Sequence, residues 1–314
     1  MSWTTYYVGD GRPRDVVLAD PPPWRTFPRK PLGTQFRPPQ GLTDAVNAAL
    51  HLRRPLLLTG PAGSGKSTVI EQVSAELRLG PVLRWHLTSR STLADALCRY
   101  DALGRLHAQR LQPGAGDAPA DHDDIAPFLR LGPLGTALLP SERPRALLID
   151  EVDKSDLDLP SDLLDVLERG EYEIPELVRH RHSPVPVRGW AGDQHHPIER
   201  GRVQCTAFPF IVMTSNGERD FPAPFLRRCI RYRMPKPTDA MLRHVVAAHL
   251  GCDVLEGGPV AELITSFVER LHAGESLAVD QLLNAAHLLT DPDGPQGEQR
   301  ERLVRLLVRE LAGD

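Results

Sequence analysis

The stretch LLLTGPAGSGKSTVIEQV, Leu56 to Val73, decides the fold. Its opening apolar run reads as a short buried strand, the kind covered on both faces of a parallel sheet. A glycine-rich turn follows, and a helical pattern opens directly from it at Lys66. Gly60, Pro61, Ala62, Gly63, Ser64, Gly65, Lys66 and Ser67 fit GxxxxGK[ST] in full, in the strand–loop–helix context that the motif requires. The glycines let backbone N–H groups turn inward around phosphate oxygens, and the helix N-terminus adds partial positive charge. Lys66 is expected to reach the β- and γ-phosphates of ATP and the Ser67 hydroxyl to ligate Mg²⁺, with Thr68 in the same binding set.

The second half of such a site is ALLIDEVDKSD, which starts at Ala146. Four apolar residues form a buried strand, and Asp150 and Glu151 stand at its C-terminal end, where open α/β sheets hold their ligands. Asp150 is expected to bind Mg²⁺, through water, and Glu151 to orient and polarise the attacking water. A third apolar strand, PFIVMTSN, ends in Asn216, a polar side chain suited to sensing the γ-phosphate. Arg227 and Arg228 follow shortly after Pro224.

Working outward, LTDAVNAALHL predicts a helix, PVLRWHL a strand, STLADALCRYDALGRLHAQRL a helix, PSDLLDVLERG a helix and CIRYRM a short strand. From Pro237 the strand signals stop and four helical patterns follow. Strands alternating with helices imply a parallel sheet covered on both faces, and the tail implies a small helical domain. Residues 1–40 are rich in proline and aromatics and are expected to form an extended arm over the following domain, anchored by Trp24 and Phe27.

Here the chain resembles the AAA+ ATPases, and within them the MoxR-like branch, through GPAGSGKST, LLIDEVDKSDLDLPSDLLDVLERGEYEIPEL and TSNGERDFPAPFLRRC. The resemblance spans roughly residues 40–300. It implies an α/β P-loop core over 41–235 and a C-terminal helical lid over 236–314. It also implies a helix-2 insert at about 90–140 and a hairpin insertion at about 171–203, before the sensor strand. Asn216 would be sensor 1. Arg227 or Arg228, the latter slightly favoured, would be a finger entering the neighbouring subunit's site in a hexameric ring. The lid helix should begin with a sensor 2 arginine, but Leu277, Ala278 and Val279 stand there.

The 314 residues are 41% hydrophobic and 25% charged, ordinary for a globular protein. A net charge of −4 gives no global reason to expect nucleic acid or an anionic membrane as partner. Only four lysines occur, yet one is Lys66, where arginine's broad planar fork would fit poorly. Cys98, Cys205, Cys229 and Cys252 stand far apart without zinc spacing and read as reduced thiols. His180, His182, His195 and His196 share one polar insertion without the carboxylate or cysteine spacing of a metal site. Asp117, Asp121, Asp123 and Asp124 lack the calcium-loop pattern. No signal peptide or membrane span is legible, so a cytoplasmic protein is expected.

The resulting expectation is an ATP-driven ring that remodels a protein client. The resemblance adds von Willebrand A-domain proteins as partners and bacterial conflict or defence systems as a setting. The alternative is a nucleic-acid-linked motor resembling the McrB-type GTPases, for which HLRRP, VRHRH and PVRGW offer arginines near an aromatic. A non-hydrolysing scaffold is disfavoured by the intact Asp150–Glu151 pair.

Overall fold

The structure, a computed structural model, describes residues 6–27, 36–110, 124–251, 253–291 and 294–309, apart from the side chains of 109 and 110. Lys30, Cys252 and the acidic-loop residues Asp117, Asp121 and Asp123 lie outside the described residues. The chain forms two compact units. The larger holds Pro38–Thr59 and Lys66–Arg233, the smaller Met1–Arg37, Gly60–Gly65 and Met234–Asp314.

The larger unit begins with α1 (Leu42–Leu52), β1 (Leu56–Thr59), α2 (Lys66–Leu77) and β2 (Leu83–His86). It continues through α3 (Leu93–Leu97), β3 (Cys98–Tyr100), α4 (Ala102–Arg110), β4 (Leu129–Leu131) and α5 (Pro133–Ala137). Next come β5 (Ala146–Asp150), α6 (Leu159–Arg169), β6 (Glu171–Glu173), α7 (Pro175–Val178), β7 (Val185–Arg188), β8 (His195–Ile198) and β9 (Arg202–Gln204). β10 (Phe210–Ser215), α8 (Ala223–Leu226) and β11 (Ile230–Arg233) complete it.

Five strands form a parallel sheet in the order β11-β1-β10-β5-β2. Burial follows position in that sheet. β10, in the centre, is buried at every residue, as are the apolar residues of β1 and β5. The edge strand β2 alternates, with Leu83 and Trp85 inward and Arg84 and His86 outward. Continuous apolar runs therefore mark the middle of the sheet and alternation marks its edge.

One stretch differs from the sequence expectation. The helix expected over STLADALCRYDALGRLHAQRL is broken into α3, β3 and α4. Cys98–Tyr100 leaves the helix to pair antiparallel with Leu129–Leu131, a non-local contact that helical spacing cannot reveal. The insertion after Glu171 is built of strands, as the hairpin that the resemblance implies requires. β6 and β9 form its antiparallel base, and β7 and β8 form a hairpin that joins β4. Both insertions thus contribute to one four-stranded sheet, β3-β4-β7-β8.

The smaller unit contains α9 (Asp239–Leu250), α10 (Pro259–Ala273), α11 (Val279–Thr290) and α12 (Gly297–Leu307), as the tail's periodicity predicts. Leu242, Val246, Ile264, Phe267, Leu282 and Ala286 form its core. Trp24 packs on this core, edge-on to His249 and His287, and its indole N–H donates to Asn284 Oδ1 at 3.2 Å. The arm is therefore anchored on the helices by Trp24. Phe27, expected as a second anchor, is 68% exposed.

Candidate active site

The strand order places β10 between β1 and β5, so the end of β10 lies beside the acid pair and beside the strand that leads towards Lys66. Ser67 Oγ donates to Asp150 Oδ1 at 3.0 Å, and the Thr214 hydroxyl donates to the same oxygen. Thr214 Oγ1 in turn accepts the Glu151 N–H at 3.0 Å. One buried hydroxyl thereby orients both acids. Sequence reasoning missed Thr214, although a polar residue near the end of an apolar strand was the available signal.

Lys66 is buried, and its Nζ donates to Asn216 Oδ1 at 2.9 Å. Burial lowers the lysine's pKa, while the charges of Asp153, Asp150 and Glu151 push it back up. Asp153, also unremarked in the sequence, accepts the N–H groups of Asn216 at 2.9 Å and Glu218 at 3.1 Å through Oδ2. It fixes the turn after β10 from below, and so holds Asn216 in register with Lys66. Thr68 is half-buried on the first turn of α2.

Glu151 has φ 59° and ψ 51°, in the left-handed region that a non-glycine residue rarely occupies. Such a conformation costs on the order of 1–3 kcal/mol and persists only where neighbours determine it, commonly at functional sites. Here the Thr214 hydrogen bond does so. Glu151 Oε2 lies 3.1 Å from Lys154 Nζ and 3.4 Å from His86 Nε2. The hydrogen bond to Glu151 raises the Lys154 pKa.

Gly63 (φ 72°) and Gly65 (φ 82°) both adopt left-handed backbone. A Cβ at Gly63 would come within 2.9 Å of Val279, and one at Gly65 within 2.7 Å of the Phe36 ring. Side chains are excluded there by conformation and by space. Ser64 is buried, and its hydroxyl has no hydrogen-bond partner among the described residues. A buried unsatisfied hydroxyl in a glycine-rich loop fits a site built for an oxyanion. Ala62 and Gly63 form the turn of the loop, closed by the Ser64 N–H donating to the Pro61 carbonyl at 3.4 Å. Val279, the first residue of α11, is buried, so that position offers an apolar contact and no cation.

The two arginines differ. Arg228 is half-buried, ion-paired with Glu168, and donates to the Pro224 carbonyl at 3.1 Å. Arg227 is exposed, and its backbone carbonyl accepts from Arg54 at 2.8 Å. Of the pair, Arg227 is the more exposed.

The His180 and His182 rings lie tilted at 60° to each other with centroids 5.7 Å apart. Among the described residues no group of three or more His, Cys, Asp or Glu is arranged to hold a metal ion. Ser67 and Asp150 instead offer converging hard oxygens, the partial set that Mg²⁺ takes when phosphate and water supply the remainder. Cys98, Cys205 and Cys229 are free thiols, and burial pushes Cys98 and Cys229 up to about 12. No helix among the described residues is long and apolar enough to cross a membrane.

Residues 40–174 match the AAA ATPase domain family. The chain is 30% identical over 156 residues to an ATP-dependent protease ATP-binding subunit-like protein of Rhodococcus erythropolis, covering 46% of this chain and 40% of that protein. Among solved structures, NtrX from Brucella abortus aligns over 87% of this chain and 54% of its own, with 13% identity and a TM-score of 0.47. Its complex with ATP aligns over 85% and 52%, with 14% identity and a TM-score of 0.47. The chain thus spans between two-fifths and just over half of the length of these proteins. Residues 40–174 are thus similar to an AAA ATPase domain, and the sheet around them has the α/β, mostly parallel architecture that such a domain takes.

Proposed function

We propose that the protein is an ATP-hydrolysing AAA+ ATPase of MoxR-like type that assembles into a hexameric ring and remodels a protein client. The observation that carries this reading is the joint placement of Lys66, Ser67, Asp150, Glu151 and Asn216 by hydrogen bonds within one cluster. Lys66 would neutralise charge on the β- and γ-phosphates, and Ser67 and Asp150 would hold Mg²⁺, which supplies further neutralisation. Glu151 would accept a proton from the attacking water, and Asn216 would keep that water in line with the γ-phosphorus. Arg227 would complete the neighbouring subunit's site, which ties turnover to assembly. A von Willebrand A-domain protein as client, and a defence setting, come from the resemblance alone.

Complementation between inactive variants tests this. Arg227→Ala should bind ATP yet lose most turnover, since a trans arginine contributes roughly 10³–10⁵ in rate. Lys66→Ala should fail to bind ATP. Mixed, the two should regain partial activity, because a Lys66→Ala subunit still supplies Arg227 to its neighbour's intact site. Activity that stays absent in the mixture, with wild-type specific activity flat across protein concentration, would place hydrolysis within one subunit. Preference for GTP over ATP would favour the McrB-type alternative.

A further inference from the structure

The sheet made by the two insertions carries an arrangement that the nucleotide site does not use. Its register aligns Arg99 with Arg130, Arg130 with Arg188, and Arg188 with His195, so one transverse row crosses all four strands. All four are exposed, while their neighbours Leu129, Leu131, Val185 and Val187 point into the core. Like charges directly opposite one another destabilise a sheet, so folding alone gives no reason for the row. Trp190 stands beside it, with the Arg130 and Arg99 guanidiniums 5.3 and 5.8 Å from its ring centroid. Arg130 also donates to the Trp190 carbonyl at 2.7 Å. These contacts hold the side chains upright rather than leaving them free to disperse.

The row lines a groove of about 690 Å³ whose remaining wall includes Tyr100 and Phe128. The groove lining combines basic and aromatic residues, but acids interrupt it. Arg99 Nε lies 3.5 Å from Asp95, Arg188 pairs with Asp193, and Asp101 lies in the lining. A polyphosphate backbone carries a charge at every unit and would meet these acids repeatedly. A peptide can place carboxylates on the arginines and neutral residues opposite the aspartates. Arg99 and Arg188 already take carboxylate partners, Asp95 of α3 and Asp193 of the β7–β8 turn, and the aromatic residues of the lining fit an aromatic or aliphatic side chain.

We propose that the groove across β3, β4, β7 and β8 binds an extended acidic protein segment, with its carboxylates on the Arg99–Arg130–Arg188 row and an apolar residue against Tyr100 and Phe128. This deepens the protein-client reading and rests on it for its biological role. Binding itself requires no nucleotide turnover.

The test is fluorescence anisotropy, without nucleotide, using a labelled glutamate-rich peptide with one central phenylalanine. A lysine-rich counterpart and a labelled oligo-dT of equal length serve as competing probes. The acidic peptide should bind, weaken with added salt, and bind roughly tenfold or more weakly to the triple variant Arg99→Ala/Arg130→Ala/Arg188→Ala. A control with equal charge loss, Arg78→Ala/Arg143→Ala/Arg169→Ala, should retain affinity. Thermal melts should show the first triple variant folded, and Arg130→Glu alone should weaken binding as well, since it places a carboxylate in the row. Failure of the acidic peptide to bind overturns the proposal, as does equal loss in both triple variants. Tighter, row-dependent binding of oligo-dT overturns it in favour of a nucleic-acid surface. Wild-type ATP turnover, measured separately, tells failure of the groove from failure of the ATPase reading.

Discussion

The Lys66 ammonium donates to the Asn216 carboxamide oxygen at 2.9 Å, joining the first turn of α2 to the end of β10. A hydrogen bond to a buried charged group is worth about 1.5–3 kcal/mol. Asn216→Ala should therefore lower stability by about that much in denaturant unfolding. It should keep ATP affinity near wild type and cut turnover by roughly 10²-fold or more, within the range for removal of a positioned polar group. Unchanged turnover would remove Asn216 from the chemistry.

Lys66 also makes stability depend on pH. Its folded pKa lies below the ordinary lysine value because burial outweighs the nearby carboxylates. Between those two values the unfolded chain binds more protons than the folded one, so this group's contribution to stability rises with pH. Comparing wild type with Lys66→Met should show wild type gaining relative stability as pH rises from neutrality towards the ordinary lysine value. A constant difference across that range would contradict the assignment.

Thr214 offers a separation of hydroxyl from shape. Thr214→Val removes the donor to Asp150 and the acceptor for the Glu151 N–H. Leaving a buried N–H unsatisfied costs about 1–3 kcal/mol, and the Glu151 backbone loses the contact that holds its left-handed conformation. Stability and turnover should fall together, and Thr214→Ser should restore most of both. Equal activity in all three proteins would show that the hydroxyl orients nothing.

Arg227 and Arg228 should divide in opposite ways. Arg228→Ala breaks the ion pair with Glu168 and the bond to the Pro224 carbonyl. It should cost roughly 1 kcal/mol of stability, given partial exposure, and spare most turnover. Arg227→Ala should leave the melting temperature unchanged and remove most turnover. The reverse pattern would make Arg228 the finger, as sequence alone slightly favoured.

Much of this protein was legible from one dimension. Local patterns placed β1, β2, β5, β10, β11 and the four tail helices, because apolar runs, alternation and helical spacing each reflect one element's own burial. The loop from Gly60 to Ser67, the Asp150–Glu151 pair and Asn216 were legible because chemistry demands those residue types at element ends. Tertiary structure decided what depends on distant partners. Cys98–Tyr100 is a strand only because Leu129–Leu131 pairs with it, and the arginine row exists only through register between segments far apart in the chain. Thr214 gained its role from hydrogen bonds across neighbouring strands, and Asp153 from those it accepts from the turn after β10. Arg227 and Arg228 are indistinguishable as letters, and Glu168, some sixty positions earlier, separates them by holding Arg228 in place.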